Sequence, residues 1–250
     1  MRLGAIQLDV AWHDPETNLD RVRSLLAHAA AEGVELAVLP EMFATGFSMA
    51  AARVARHGPS IVDFLTEQAA RHGLWVAGSV AMPGTEGGAP VNEFVATSPQ
   101  GAAHRYVKRH PFSHSGEDRH YAAGEEFVTF VVAGVRISPF VCFDLRFGPD
   151  FWDRAPETDL YLVVANWPTS RIEHWKVLLR ARAVENQAYV AGVNRVGAGG
   201  GVDYSGSSLV VDPMGTVISE AADAETVLIA DVDAETDARV RRALPFLEDR

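Results

Sequence analysis

Val135-Arg136-Ile137-Ser138-Pro139-Phe140-Val141 runs straight into Cys142-Phe143-Asp144-Leu145-Arg146-Phe147, and Gly148-Pro149 follows. The first seven residues are strongly apolar and read as a strand. The next six turn polar ahead of a proline suited to the first turn of a helix. A thiol at a strand-to-helix junction is held on a sharp bend above the sheet edge, with the N–H groups of the following residues pointing toward it. That setting lowers a thiol's pKa and supplies oxyanion donors in the same place. A lone cysteine elsewhere is usually inert packing, so position is what singles out Cys142.

Two other apolar runs end in a chemically useful residue. Residues 34–39 lead into Pro40-Glu41, and residues 103–107 lead into Lys108. Taken singly, each is an ordinary solvated charge. Strands of one sheet, however, present their C-terminal edges together, and ligands of open α/β sheets bind there. A thiol, a carboxylate and an ammonium at three such ends make a nucleophilic constellation.

Working outward, residues 2–10, 74–82, 93–98, 127–132, 159–166, 189–196, 207–211, 216–220 and 226–232 read as further strands. Residues 18–31, 60–72, 171–187 and 234–243 carry helical spacing, with Gly73 closing the second of these. Strands alternate with helices in both halves and no Pro- or Ser-rich linker separates them. The expectation is one α/β domain over residues 1–250 with at least two sheet-forming halves. The glycine-rich tract at residues 198–201 is expected to be a flexible loop. It lacks the strand–GxGxxG–helix context of a dinucleotide site.

The chain has 33 acidic and 22 basic side chains and a formal net charge of −11. Nucleic acid and anionic membranes are disfavoured partners, since the basic runs at residues 108–110 and 239–242 are too short for a binding groove. No signal peptide or membrane-length apolar window is visible, and the single cysteine forms no internal disulfide, so a cytoplasmic location is expected.

Leu39-Pro40-Glu41, Tyr106-Val107-Lys108 and the segment from Val141 to Phe147 resemble the three signature segments of the nitrilase superfamily of carbon–nitrogen hydrolases. The likeness extends from Leu3-Gly4-Ala5-Ile6-Gln7 to Asp212-Pro213-Met214-Gly215. Ala165-Asn166-Trp167-Pro168, His174-Trp175 and residues 181–190 are most similar to the ω-amidase branch, which hydrolyses terminal amides of 2-oxo acids. The resemblance implies a four-layer α-β-β-α sandwich, a homodimer, a small-molecule amide substrate, and neither metal nor organic cofactor. It assigns Glu41 as general base, Cys142 as nucleophile, Lys108 and the backbone N–H of Phe143 as oxyanion donors, and Glu117 as a second glutamate orienting the others. The alternative for Glu117 is an exposed loop carboxylate. Phe143 stands where tyrosine is common, and Gly148 is an extra residue before the expected proline.

For substrate selection the candidates are Phe43, Phe112, His120, Trp167 and Arg171, the last as a partner for a substrate carboxylate. His174 is the obvious base for a rival Cys–His arrangement, and His110-x-x-x-His114 has a ligand-like spacing without the helix or cysteines of a zinc site. A non-catalytic scaffold has no physical need for Glu41, Lys108, Glu117 and Cys142 together.

Overall fold

The computed structural model describes residues 1–249; Arg250, the last residue of the expected domain, lies outside them. The first half contains β1 (Arg2–Gln7), α1 (Pro15–Ala31), β2 (Leu36–Val38), α2 (Ala51–Ala55), α3 (Gly58–His72), β3 (Trp75–Met82), β4 (Val91–Thr97) and β5 (Ala103–Val107). The second contains β6 (Phe130–Val132), β7 (Val135–Val141), α4 (Gly148–Arg154), β8 (Leu160–Val164), α5 (Ile172–Asn186) and β9 (Tyr189–Val193). It continues with β10 (Val196–Gly199), β11 (Val202–Ser205), β12 (Leu209–Val211), β13 (Val217–Glu220), β14 (Thr226–Asp231) and α6 (Ala234–Ala243).

Two six-stranded sheets form, in the orders β14-β1-β2-β3-β4-β5 and β13-β12-β9-β8-β7-β6. In each, three neighbouring strands are parallel, β1-β2-β3 and β7-β8-β9, and the outer strands are antiparallel. Side chains alternate between two apolar environments. Leu36 and Val38 of β2, with Leu160, Leu162 and Val164 of β8, fill the core between the sheets. Ala37 and Leu39 face the opposite way onto Val22 and Leu26 of α1 and Ile61 and Leu65 of α3. Tyr161 and Val163 likewise meet Trp175 and Leu179 of α5. The result is the expected α-β-β-α layering, and it explains why the central strands read as unbroken apolar runs. Among the described residues no helix is long and apolar enough to cross a membrane.

Local chemistry sets the element ends. Helix α1 begins at Pro15, ahead of the expected residue 18, because the Asp14 side chain accepts from Thr17 N and caps the first turn. The tract at residues 198–201 does connect two strands, but more tightly than a loop: Ala198 and Gly199 end β10, and Gly200 and Gly201 are the turn of a hairpin to β11. Gly200 and Gly201 both take positive φ, as a two-residue hairpin turn demands. A Cβ at Gly199 or Gly200 would come within 3.0 or 2.7 Å of the Trp12 ring, so the same glycines seat that ring against the hairpin.

Helix α6 carries the buried Asp237, whose two carboxylate oxygens lack a hydrogen-bond partner. Burial pushes this carboxyl up to about 8, only partly opposed by Arg241. A folded-state pKa raised above the unfolded value gives stability that is complete below the unfolded pKa and lost as pH rises through the folded one. The melting temperature is therefore expected to fall between pH 4 and pH 8, and Asp237→Asn should flatten that fall and stabilise the protein at pH 8. Thermal melts across this range check it; an unchanged slope in the variant contradicts it.

Candidate active site

Glu41, Lys108 and Cys142 stand just beyond the C-terminal ends of β2, β5 and β7, and Asn166 just beyond β8. Asn92 lies near the start of antiparallel β4, hence at the same edge. Gly78 lets the Glu41 loop come close: a Cβ there would approach Leu39 Cβ to 2.9 Å and the Phe43 ring to 3.1 Å.

Cys142 opens a short 3-10 turn, Cys142–Arg146, directly after β7, and the next helix starts at Gly148, so the extra glycine is absorbed as its first residue. Its φ is +48°, in the left-handed region, and Met42 beside Glu41 is at +43°. Non-glycine residues hold such conformations only where their surroundings over-determine them. Here the turn is fastened by Asp144. One of its carboxylate oxygens accepts from Val141 N and from the Tyr106 hydroxyl, both at 2.9 Å, and the other accepts from His110 N at 2.9 Å. Burial pushes the Asp144 carboxyl up to about 6, with Lys108 and these three donors pulling against it.

Glu41, Lys108 and Glu117 are all but fully buried. Lys108 Nζ donates to Glu41 Oε1 at 3.0 Å and to Glu117 Oε2 at 2.8 Å. Asn92 Nδ2 donates to Glu41 Oε1 at 2.8 Å and lies 3.2 Å from Glu117 Oε1. The other Glu41 oxygen accepts from Asn166 N at 2.9 Å, and Phe112 N donates to Glu117 at 2.6 Å. Glu117 is thus an interior partner of the lysine, not an exposed loop carboxylate. Burial pulls the Lys108 ammonium down, but Glu117 and then Glu41 outweigh it and hold the group well above the ordinary lysine range.

The thiol departs from expectation. Burial, and next Glu41, push Cys142 well above its ordinary value, while Lys108 pulls less strongly the other way. The bend does not yield a resting thiolate, because dehydration and a neighbouring carboxylate act on the same sulfur. A neutral thiol beside a buried carboxylate is suited to losing its proton during attack, with the carboxylate as base.

Above the thiol lies a cavity of about 360 Å³. Phe112, Phe143, Trp167 and Arg171 line it, together with Trp12, Phe47, Arg146 and Tyr204, which were not anticipated. Phe43 does not: it is fully buried in the core under α1 and α3, the usual fate of an apolar side chain following a strand. His120 does not either, and faces a separate shallow hollow beside Arg53 and Arg119. His174 is exposed and accepts from Arg146, while His110 bonds Asp150 at 2.7 Å and stacks on Phe147. Neither of these histidines is among the residues lining the cavity.

A thiol from one sheet meets a buried carboxylate and an ammonium from the other below a single cavity, an arrangement suited to a thiol-dependent hydrolase. The chain belongs to the carbon–nitrogen hydrolase family, whose model matches residues 2–242. It is 40% identical over 252 residues to omega-amidase YafV of Yersinia enterocolitica, covering 100% of this chain and 96% of that one. It is 32% identical over 254 residues to 2-oxoglutaramate amidase of Bacillus subtilis, covering 99% and 96%. The crystal structure of XC1258 from Xanthomonas campestris, a CN-hydrolase superfamily protein with an arsenic adduct in its active site, superposes with a TM-score of 0.93 at 38% identity, covering 100% and 97%.

Alkylation of Cys142 by iodoacetamide is expected to keep accelerating beyond about pH 9, since only the thiolate reacts. Glu41→Gln removes a negative neighbour and should move the profile to lower pH. Rates measured from pH 5 to 10 decide it, and a plateau below neutrality in the wild type contradicts the neutral resting thiol.

Proposed function

We propose that this protein is an ω-amidase, hydrolysing the terminal amide of a short 2-oxo acid such as 2-oxoglutaramate. As Cys142 Sγ attacks the amide carbon, its proton passes to Glu41. The oxyanion is held by the Lys108 ammonium and the N–H of Phe143, charges and dipoles already in place before attack. Protonated Glu41 then delivers its proton to the departing nitrogen; ammonia leaves and a thioester remains. Water attacks the thioester as Glu41 takes its proton, the carboxylic acid departs, and Sγ is reprotonated from Glu41. Glu117 and Asn92 keep Lys108 and Glu41 oriented throughout.

The observation that carries the substrate class is the charge of the cavity. Arg146 and Arg171 both line it, and among its described lining residues there is no acid. The two are close enough that Arg171, after burial, lowers the pKa of Arg146. Arg146 lies over the Trp167 ring and Arg171 over Phe112, which fixes each guanidinium against an aromatic face. In a chain of net charge −11, a pair of arginines beside the nucleophile supplies the local field that an anionic substrate needs. The names of the two relatives agree with this reading.

We also propose that two copies associate through α5, and that the protein works in the cytoplasm, where its thiol stays reduced. The outward stripe of α5 carries Val177 and Val184, both more than half exposed, and the exposed Met214 lies in the turn that meets Val184. An apolar stripe on a helix whose other face is already packed suits a self-complementary contact. Sedimentation is expected to give a dimer, and Val177→Glu with Val184→Glu a monomer; a monomeric wild type contradicts this.

The function is tested by ammonia release from 2-oxoglutaramate and from pentanamide, a neutral amide of equal length. The wild type should favour the former on kcat/KM. Arg171→Ala and Arg146→Ala should each lose roughly a hundredfold on it, the cost of removing a desolvated Arg–carboxylate pair, and little on pentanamide. Preference for pentanamide in the wild type refutes the substrate class.

A further inference from the structure

Asp144 has no part in the chemistry described above, yet it is fully buried between two of the reacting groups. Its three donors are distributed in a telling way. Tyr106 and His110 lie two residues before and two residues after Lys108, and Val141 is the residue before Cys142. One carboxylate therefore ties the chain on both sides of the lysine to the chain entering the nucleophile bend. The β5 end and β7 belong to different sheets, so no ladder hydrogen bond holds them in register. Side-chain contacts reinforce the tie: the His110 ring stacks on Phe147 at 3.5 Å between centroids, and His110 Nε2 contacts Asp150 at 2.7 Å.

We infer that Asp144 is a positioning residue, which sets the Lys108 ammonium relative to the Cys142 sulfur by joining the two sheets at the catalytic edge. This rests on reading Lys108 and Cys142 as oxyanion donor and nucleophile. Asp144 acts through the backbone and through Tyr106, and not on the substrate. An amide in its place keeps the shape but turns one acceptor into a donor facing an N–H or O–H group, which opens that side of the clamp. Because misplacing a catalytic group by about 1 Å can cost on the order of a hundredfold in rate, the effect belongs in kcat.

The experiment compares Asp144→Asn and Tyr106→Phe with wild type, with folding followed by circular dichroism and melting temperature. In folded Asp144→Asn, kcat should fall roughly thirtyfold or more with KM within about threefold. Tyr106→Phe removes one donor and leaves the carboxylate, and kcat should fall by roughly three- to tenfold at unchanged KM. A second readout needs no turnover. The charges acting most on the thiol are Glu41, Lys108 and Glu117, so displacing Lys108 should move the pH profile of Cys142 alkylation upward in both variants. Wild-type kcat in folded Asp144→Asn, a change in KM alone, or a lowered melting temperature with kcat and alkylation intact would each overturn the inference. Should Asp144→Asn not fold, Tyr106→Phe decides: unaltered kcat and alkylation overturn it. If no amide is turned over by wild type, the proposed function fails, while the alkylation profiles still judge the clamp.

Discussion

Lys108 donates to Glu41 and Glu117 in a place that water does not reach, and the surrounding architecture is constrained by that contact. Each buried ion carries a desolvation penalty of several kcal/mol that only close geometry and further hydrogen bonds offset. The further bonds come from every direction: Asn92 from β4, the Phe112 N–H from the loop after β5, and the Asn166 N–H from the opposite sheet. The last of these makes the cluster an inter-sheet contact. Two sheets held together by an apolar core alone would fit in many relative positions; a buried polar network accepts few.

Function follows from the same economy of space. The cluster is buried, and the cavity over Cys142 has a wall that includes six aromatic side chains and two arginines. The thiol is kept neutral by dehydration and by Glu41, which favours a proton transfer coupled to attack over a standing thiolate. Such an arrangement suits a cysteine that loses its proton only as it attacks, with the adjoining carboxylate as the acceptor that the proposed mechanism uses in both half-reactions.

The hairpin β10–β11 shows how a cavity wall is built from residues with no chemistry of their own. Gly199 and Gly200 let Trp12 lie flat against the hairpin, and Arg195, fully buried beneath it, donates to the carbonyls of Val10, Val196 and Ala198 while stacking over Tyr204. Trp12, Gly199, Gly200 and Tyr204 all reach the cavity surface. The wall is a composite of the chain's first loop and its last third, joined by one guanidinium.

Much of this was legible in the residues themselves. Apolar runs two faces deep announced central strands buried on both sides, and β7 and α6 have the bounds that their patterns predict. Glu41, Lys108 and Cys142 were legible because each follows such a run, and Glu117 only through the family resemblance. Other features depended on which strands neighbour which. Asn92 stands at the start of β4 and joins the site only because β4 runs antiparallel to β3, a direction that no local pattern encodes. Asp144 and Asn166 sit in the quoted motifs, but their partners are 38 and 125 residues away in the chain. Phe43 and His120 flank the right residues in sequence and point elsewhere in space, since neighbours on a loop need not share a face. Periodicity and the chemistry of strand ends are local properties, and sequence suffices for them; burial, proton affinity and the company each polar group keeps are set by packing between distant segments, which only the tertiary structure decides.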